Sequence, residues 1–329
     1  MSKIARRTFI KSAAAAASVG GGIFAPAVWA QGAYPSRAIT FVVPLAPGGA
    51  IDMIARAVGE RLSGLIGQQI VVENRVGGGG KIGMEYAMKS APDGYTILIT
   101  NDNAASAPHV QGLPYDFTKE LLPICYLGRH GQVLSAHAST GVKTLKELID
   151  LAKKDPSVNT ATSGVGSNQH VLLEWINKAA GIKLVHVPYR GAGQAINDFV
   201  GGQVKTAILA PSTQVQHHAA GKIHMLAQST SKRSPVLDYI PTFEEAGLKG
   251  LVLEAWYGAF APPGTPAAII ARLNEEMNKA LKDPKLVDTF TKVAIETVGG
   301  PPDNLGQIAR ADSEKYARLV KELGIKIGS

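Results

Sequence analysis

The run Val42-Val43-Pro44-Leu45-Ala46-Pro47-Gly48-Gly49-Ala50-Ile51-Asp52-Met53-Ile54-Ala55-Arg56 constrains the fold more than any other stretch. An apolar, β-branched segment from Ile39 stops at Pro44, as a buried parallel strand does where proline withholds its N–H. Gly48 and Gly49 then permit a turn with open φ choices. Beyond it Ile51, Ile54, Ala55, Val58, Leu62, Leu65 and Ile66 recur at helical spacing. The order is strand, glycine turn, helix. Such a unit points the first unpaired N–H groups of its helix past the strand's carboxyl end, with the positive end of the helix dipole behind them. The ligand that suits this geometry is an anion, most simply a carboxylate, although an ordinary βα connection carries the same signature.

The rest of the chain repeats the alternation. Gln69–Glu73 reads as a strand, 74–80 as a glycine-rich loop, Lys81–Ser90 as a helix and Tyr95–Thr100 as a short buried strand. Asn101 to His109 is small and polar and reads as a loop at that strand's carboxyl end, closed by Leu113-Pro114-Tyr115-Asp116. A domain crossing is expected near Arg129-His130-Gly131, before the alternating strand Val133–Ala136. A second α/β pattern follows. Thr144 and Glu147 form a capping box for one helix, Asn159–Thr162 is a strand, and Ser163–His170 leads into a helix carrying Leu172, Leu173 and Ile176. Further strands are read at Leu184–Pro188, Ala207–Ala210 and Met225–Gln228, with a helix through Ala195–Val200. The extended run Val252–Ala261 fits a return crossing, followed by helices at Pro266–Leu281 and Asp303–Leu323. Strands alternating with helices imply parallel sheets covered on both faces. Two crossings imply two lobes with a cleft between them, onto which loops from both can converge.

Composition narrows the function. A chain of 329 residues has room for two cores. The single Cys125 excludes an internal disulfide framework and a zinc ribbon, and its apolar surroundings (Leu121, Leu122, Ile124, Leu127) read as a buried, inert thiol. Residues 1–30 read as an export signal: Arg6-Arg7-Thr8-Phe9-Ile10-Lys11 is similar to a twin-arginine head, Ala13–Ala27 is the apolar core, and Val28-Trp29-Ala30 is the cleavage site. A Sec signal can carry two arginines too, and either route leads out of the cytoplasm, to the periplasm. With Lys3, Arg6, Arg7 and Lys11 removed, the formal charge falls from +8 to +4. That modest, scattered excess, without a basic stripe or interleaved aromatics, argues against nucleic acid. No later segment is apolar for about 20 residues, so no membrane span is expected.

Several motifs occur together and in order. They are Pro47-Gly48-Gly49 with Asp52, Glu73-Asn74-Arg75 with its glycine run, Pro92-Asp93-Gly94-Tyr95, and Leu113-Pro114-Tyr115-Asp116. Next come Gly164-x-Gly166-Ser167 with His170, and His186-Val187-Pro188-Tyr189-Arg190-Gly191. Gly201-Gly202-Gln203-Val204 and Trp256-Tyr257-Gly258 with Ala261-Pro262 complete the set. Together they closely resemble the Bug-type extracytoplasmic solute receptors of tripartite tricarboxylate transporters, over essentially the whole mature chain. The resemblance implies an α/β, two-lobe periplasmic-binding-protein type II fold, a hinged clam. Its lobes are expected at residues 31–130 with 255–329, and at 131–254. It implies a carboxylate held by backbone groups and waters at Pro47, Gly48, Gly49, Ala50 and Asp52 of one lobe, and Thr100 and Asn101, at the carboxyl end of the Tyr95–Thr100 strand, are expected to join them. From the other lobe it implies Gly166, Ser167, His170, Tyr189, Arg190 and Gly191. It also implies a small organic acid as ligand and membrane transporter subunits as partners, with no cofactor, no metal, no catalysis and a monomeric state. Two positions depart from the family pattern: Ile51 replaces the usual Thr or Ser, and Lys205 replaces the usual Asp after Gly-Gly-Gln-Val.

Rival signals are weaker. Gly78-x-Gly80-x-x-Gly83 matches a dinucleotide fingerprint, but a lone match in an exported chain says little. Ile82 excludes a P-loop, since magnesium needs Ser or Thr there. His217, His218 and His224 lack helpful acidic or cysteine spacing and read as solvated loop residues. Ser167 and His170 lie outside any Gly-x-Ser-x-Gly elbow. Tyr189 is read as a ligand contact, while Arg190 and Asp52 each have an equal structural reading. Trp256 reads as packing near the hinge. A receptor serving a sensor kinase and an exported enzyme are the alternative functions.

Overall fold

The opening unit forms as its residues dictate: β1 (Ile39–Val43) stops just before Pro44, and α1 (Ala50–Ile66) starts after Gly49. The computed structural model describes residues 34–325, and the expected export signal at 1–30 lies outside the described residues. β2 (Ile70–Asn74), α2 (Lys81–Met88) and β3 (Thr96–Asn101) repeat the alternation. After α3 (Asn103–Gln111) and α4 (Phe117–Glu120), β4 (Leu122–Gly131) passes through Gln132 alone into β5 (Val133–His137). Then come α5 (Leu145–Lys154), β6 (Asn159–Thr162), α6 (Asn168–Ala180) and β7 (Val185–Pro188). They are followed by α7 (Ala192–Val200), β8 (Thr206–Leu209), α8 (Val215–Ala219) and β9 (Ile223–Gln228). The chain continues through β10 (Glu254–Ala261), α9 (Ala267–Leu281), α10 (Pro284–Lys292), β11 (Glu296–Thr297) and α11 (Pro302–Leu323), and single 3-10 turns lie at Gly78–Gly80, Ala138–Thr140 and Pro211–Thr213.

The strands make two sheets, ordered β11-β4-β10-β3-β1-β2 and β7-β6-β8-β5-β9. Each is mixed, which corrects the expectation of parallel sheets. β10 runs antiparallel to β3 and β4 in the first sheet, and β5 antiparallel to β8 and β9 in the second. The reason is the crossing itself. β4 leaves the first sheet at the edge where β1 and β3 end, and Val133 at the start of β5 pairs with Leu209 at the end of β8. A strand that enters a sheet at its carboxyl edge must run against its neighbours. β10 re-enters the first sheet the same way, with Tyr257 opposite Asn101 at the end of β3. The carboxyl edges of both parallel strand sets therefore face the crossings.

Buried side chains knit the two sheets together. One cluster runs from Val42, Leu98, Phe117 and Trp256 through Tyr316 and Leu319 of α11 to Val171, Leu172 and Ile176 of α6. Cys125 is fully buried, and that burial pushes its thiol up to about 12, so it has no thiolate at neutral pH. The capping box closes as its sequence requires. Glu147 N–H donates to Thr144 Oγ1 at 3.2 Å, and Thr144 N–H donates back to Glu147 Oε2 at 3.2 Å. Thr144→Ala is expected to cost about 1 kcal/mol in urea unfolding while leaving ligand affinity unchanged.

Three local readings are corrected. The segment 103–111 is a helix, not a loop, because Ala104, Ala105, Ala107 and Val110 bury it on several sides and leave no helical apolar stripe to detect. α4, α10 and β11 are additional short elements, and Asp283 caps α10 by accepting from Lys285 N–H at 2.9 Å. His217 and His218 lie on α8 and His224 on β9, all half-buried, with His218 stacked on Tyr239 at 5.8 Å. The Leu113–Asp116 motif builds a turn: Asp116 accepts from Thr118 N–H at 3.0 Å and from Ser313 Oγ at 2.7 Å. The Gly78-x-Gly80-x-x-Gly83 spacing serves packing. A Cβ at Gly83 would meet Pro44 Cα and Arg75 O at 2.7 Å, so only glycine lets α2 press onto the end of β1.

Candidate functional site

The loop 44–49 projects from the carboxyl end of β1, and Pro47, Gly48 and Gly49 are exposed there. Gly49 caps α1 with no side-chain bond, so the N–H groups at Ala50 and Ile51 have no acceptor from a capping side chain. Asp52 does not reach outward. It is 4 % exposed and its carboxylate turns back to accept from Gly48 N–H at 3.1 Å, Arg56 Nε at 3.0 Å and Asn74 Nδ2 at 3.0 Å. Burial works against its charge, but the bonds from Arg56, Gly48 and Asn74 outweigh it and hold the pKa below the usual carboxylate value. Asp52 thus braces the glycine turn and has its charge matched by Arg56. Asn74 can do this because it sits level with Val43 in the sheet and also donates to Leu45 O at 3.0 Å. Arg56 and Asn74 were not read as site residues, although the Asp52–Arg56 spacing of four is a helix ion-pair signal. Ile51 is buried, so the departure from Thr or Ser is absorbed into packing.

Thr100 and Asn101 end β3 beside this loop. The Thr100 hydroxyl and the Asn101 side-chain oxygen are buried without a hydrogen-bond partner. Native proteins leave few such atoms unpaired, and a bound polar group or water is what normally satisfies them.

The second sheet offers a matching edge. At the end of β6, Ser167 caps α6: its Oγ donates to Gly164 O at 2.7 Å and accepts from His170 N–H at 3.3 Å. Gly166 N–H donates to His170 Nδ1 at 3.1 Å, so that nitrogen carries no proton. His170 stacks on His186 with ring centres 4.0 Å apart, and His186 Nε2 meets Thr162 Oγ1 at 2.7 Å. Burial lowers both imidazoles, and the neighbouring His170 lowers His186 further, to about 4. The Gly166 amide and the Ser167 hydroxyl are therefore spent on loop shape. At the end of β7, Tyr189 N–H donates to Thr162 O at 3.1 Å, tying the two loops together. Tyr189 is half-buried, and burial followed by the Asp198 side chain pushes its hydroxyl up to about 12. Arg190 is exposed and makes no ion pair among the described residues. Gly191 caps α7 at φ 147° without a side-chain bond, and a Cβ there would meet nothing. Lys205 lies at the far end of β8 and pairs with Asp155 at 2.7 Å, away from these loops.

The two edges touch. Asn168, the first residue of α6, donates to Asp102 at the head of α3 across 2.7 Å. Gln169 donates to Gln132 of the crossing at 3.2 Å. Trp256 is fully buried and so lines no cleft. Among the described residues no group of three or more His, Cys, Asp or Glu is placed to hold a metal, and no helix is long and apolar enough to cross a membrane.

Residues 54–325 match the model of the tripartite tricarboxylate transporter family receptors. The chain belongs to this family. Among relatives, it is 33 % identical to protein BugT of Bordetella pertussis over 298 residues, 89 % of this chain and 91 % of that one. A solved R. palustris protein with adipate aligns with TM-score 0.82 and 30 % identity, covering 89 % of this chain and 99 % of its own. MatC from Rhodopseudomonas palustris with bound malate aligns with TM-score 0.78 and 29 % identity, covering 87 % of this chain and 100 % of its own. These similarities bear out the two-lobe periplasmic-binding-protein fold and the resemblance carried by the ordered motifs.

Proposed function

We propose that this chain is a periplasmic receptor that captures a small organic acid between its lobes and presents it to a tripartite tricarboxylate-type membrane transporter. The observation that carries this reading is the pairing of helix amino ends: α1 opens at one sheet's carboxyl edge and α6 and α7 at the other's. Unpaired N–H groups and aligned helix dipoles there favour a carboxylate without a dedicated cation. The proposed contacts are Pro47, Gly49 and Ala50 from the first loop, Thr100 and Asn101 from β3, and Tyr189, Arg190 and Gly191 from the second sheet. Gly48, Asp52, Gly166, Ser167 and His170 set the shape of their loops. The lobes are proposed to divide at Gln132 and again before Glu254. Adipate and malate in similar proteins make dicarboxylates the first ligands to test. The receptor performs no chemistry on its cargo, acts as a monomer, and is exported by its twin-arginine-like signal.

A thermal-shift series with malate, adipate, an amino acid, an aromatic acid and its amide tests the reading. A genuine ligand at a hundred times its Kd stabilises the protein by about 2.7 kcal/mol, enough to raise Tm by several degrees. The bound compound is recovered unchanged. A flat response to every carboxylate, or consumption of the compound, would overturn the proposal.

A further inference from the structure

We propose that Asp102 is the positioning residue for lobe closure, a single carboxyl group that ties the amino end of α6 on the second sheet to α11 on the first. Its Oδ2 accepts from Asn168 Nδ2 at 2.7 Å and from Tyr316 Oη at 2.9 Å. Asp102, Asn168 and Tyr316 are 1 %, 4 % and 0 % exposed, so water does not compete for these bonds. Oδ1 is buried and has no partner. No cation pairs with Asp102 among the described residues. From α11 it faces Tyr316 and Asp312, the latter held by Trp256 Nε1 at 3.0 Å and Lys315 Nζ at 2.9 Å. From β10 it faces Tyr257, whose hydroxyl meets His130 Nε2 at 3.0 Å. From α6 it faces the neutral Asn168, and further along its own helix His109 is engaged by Ser313 at 2.7 Å. A carboxylate in such surroundings is costly, because buried charge needs a counter-charge.

Closure is therefore coupled to a proton. Burial, offset by Tyr316 and reinforced by Asp312, raises the Asp102 carboxyl from 3.8 to about 7. When the lobes part and water reaches it, the group returns toward the ordinary value. Between those two values the closed form binds a proton that the open form releases. The closed form loses ground as pH rises toward 7 and changes little above it.

Small-angle X-ray scattering on the ligand-free protein from pH 5 to 8 tests this, and because it needs no cargo its result is independent of the acid-receptor reading. The native closed-to-open ratio is expected to fall roughly tenfold per pH unit up to about pH 7 and then level off. Asp102→Asn keeps an acceptor for both donors without the charge, and is expected to stay closed at every pH. Any histidine titration appears equally in both proteins. Asn168→Ala, which leaves Asp102 and Tyr316 paired, is expected to lower the closed fraction at pH 5.5. If Asp102→Asn follows the native pH profile, or Asn168→Ala leaves the closed fraction unchanged, the assignment fails.

Discussion

Replacing Trp256 with alanine is expected to destabilise the protein by about 4 kcal/mol, the size of a large-to-small change in a packed core. Trp256 is fully buried in β10, inside the cluster that continues into α6 and α11, with Phe260 6.0 Å from its ring centre. The indole does more than fill space. Its Nε1–H satisfies one oxygen of Asp312, which is 2 % exposed and takes its other bond from Lys315. Alanine would leave a cavity and a buried carboxylate oxygen without its donor, and the second loss adds to the first. Trp256→Phe separates the terms, because it restores most of the ring volume and none of the hydrogen bond. The phenylalanine variant is expected to lose about 1–3 kcal/mol. For a chain of this size the alanine variant should melt on the order of 7 °C lower. Calorimetry of both variants checks the ordering, and equal stability of Trp256→Phe and the native protein would show that the Asp312 bond contributes nothing.

How much of this was legible in one sequence follows from the range of the forces involved. The first βα unit, the Thr144 capping box and the strands of the second sheet were readable because each is specified by neighbours within a few residues. α3 was not, since a helix buried on several sides by alanine lacks the periodic stripe that identifies a helix. Strand direction was invisible as well. The periodicity of β5 and β10 is the same whichever way they run, and only the crossing forces them antiparallel. At the site, the loops carrying Gly48, Gly166 and Tyr189 could be named, but not how their groups are spent. That Gly48 N–H serves Asp52 and Gly166 N–H serves His170 depends on turn geometry. The Asp102–Asn168 bond joins residues 66 apart on different sheets, and nothing local announces it.

That division between shaping groups and available groups makes Ala50 the sharpest test of ligand capture. Ala50 is the first residue of α1, where proline is well tolerated because its ring suits the helix and its missing N–H has no helical acceptor. Gly49 before it is already extended, at φ −83° and ψ 171°, which is the conformation a following proline demands. Ala50→Pro should therefore fold with nearly native stability and lack one N–H at the proposed carboxylate site. A hydrogen bond to a charged group is worth about 1.5–3 kcal/mol, so the Kd for a bound dicarboxylate should rise roughly tenfold to a hundredfold. Titration calorimetry with the best acid from the thermal-shift series measures it. Ala50→Ser retains the N–H and should bind within about threefold of native, a change under 1 kcal/mol. If proline and serine at this position bind equally well, the Ala50 N–H does not hold the acid, and the carboxylate must be gripped by the unpaired Thr100 and Asn101 groups of β3 and by the second sheet.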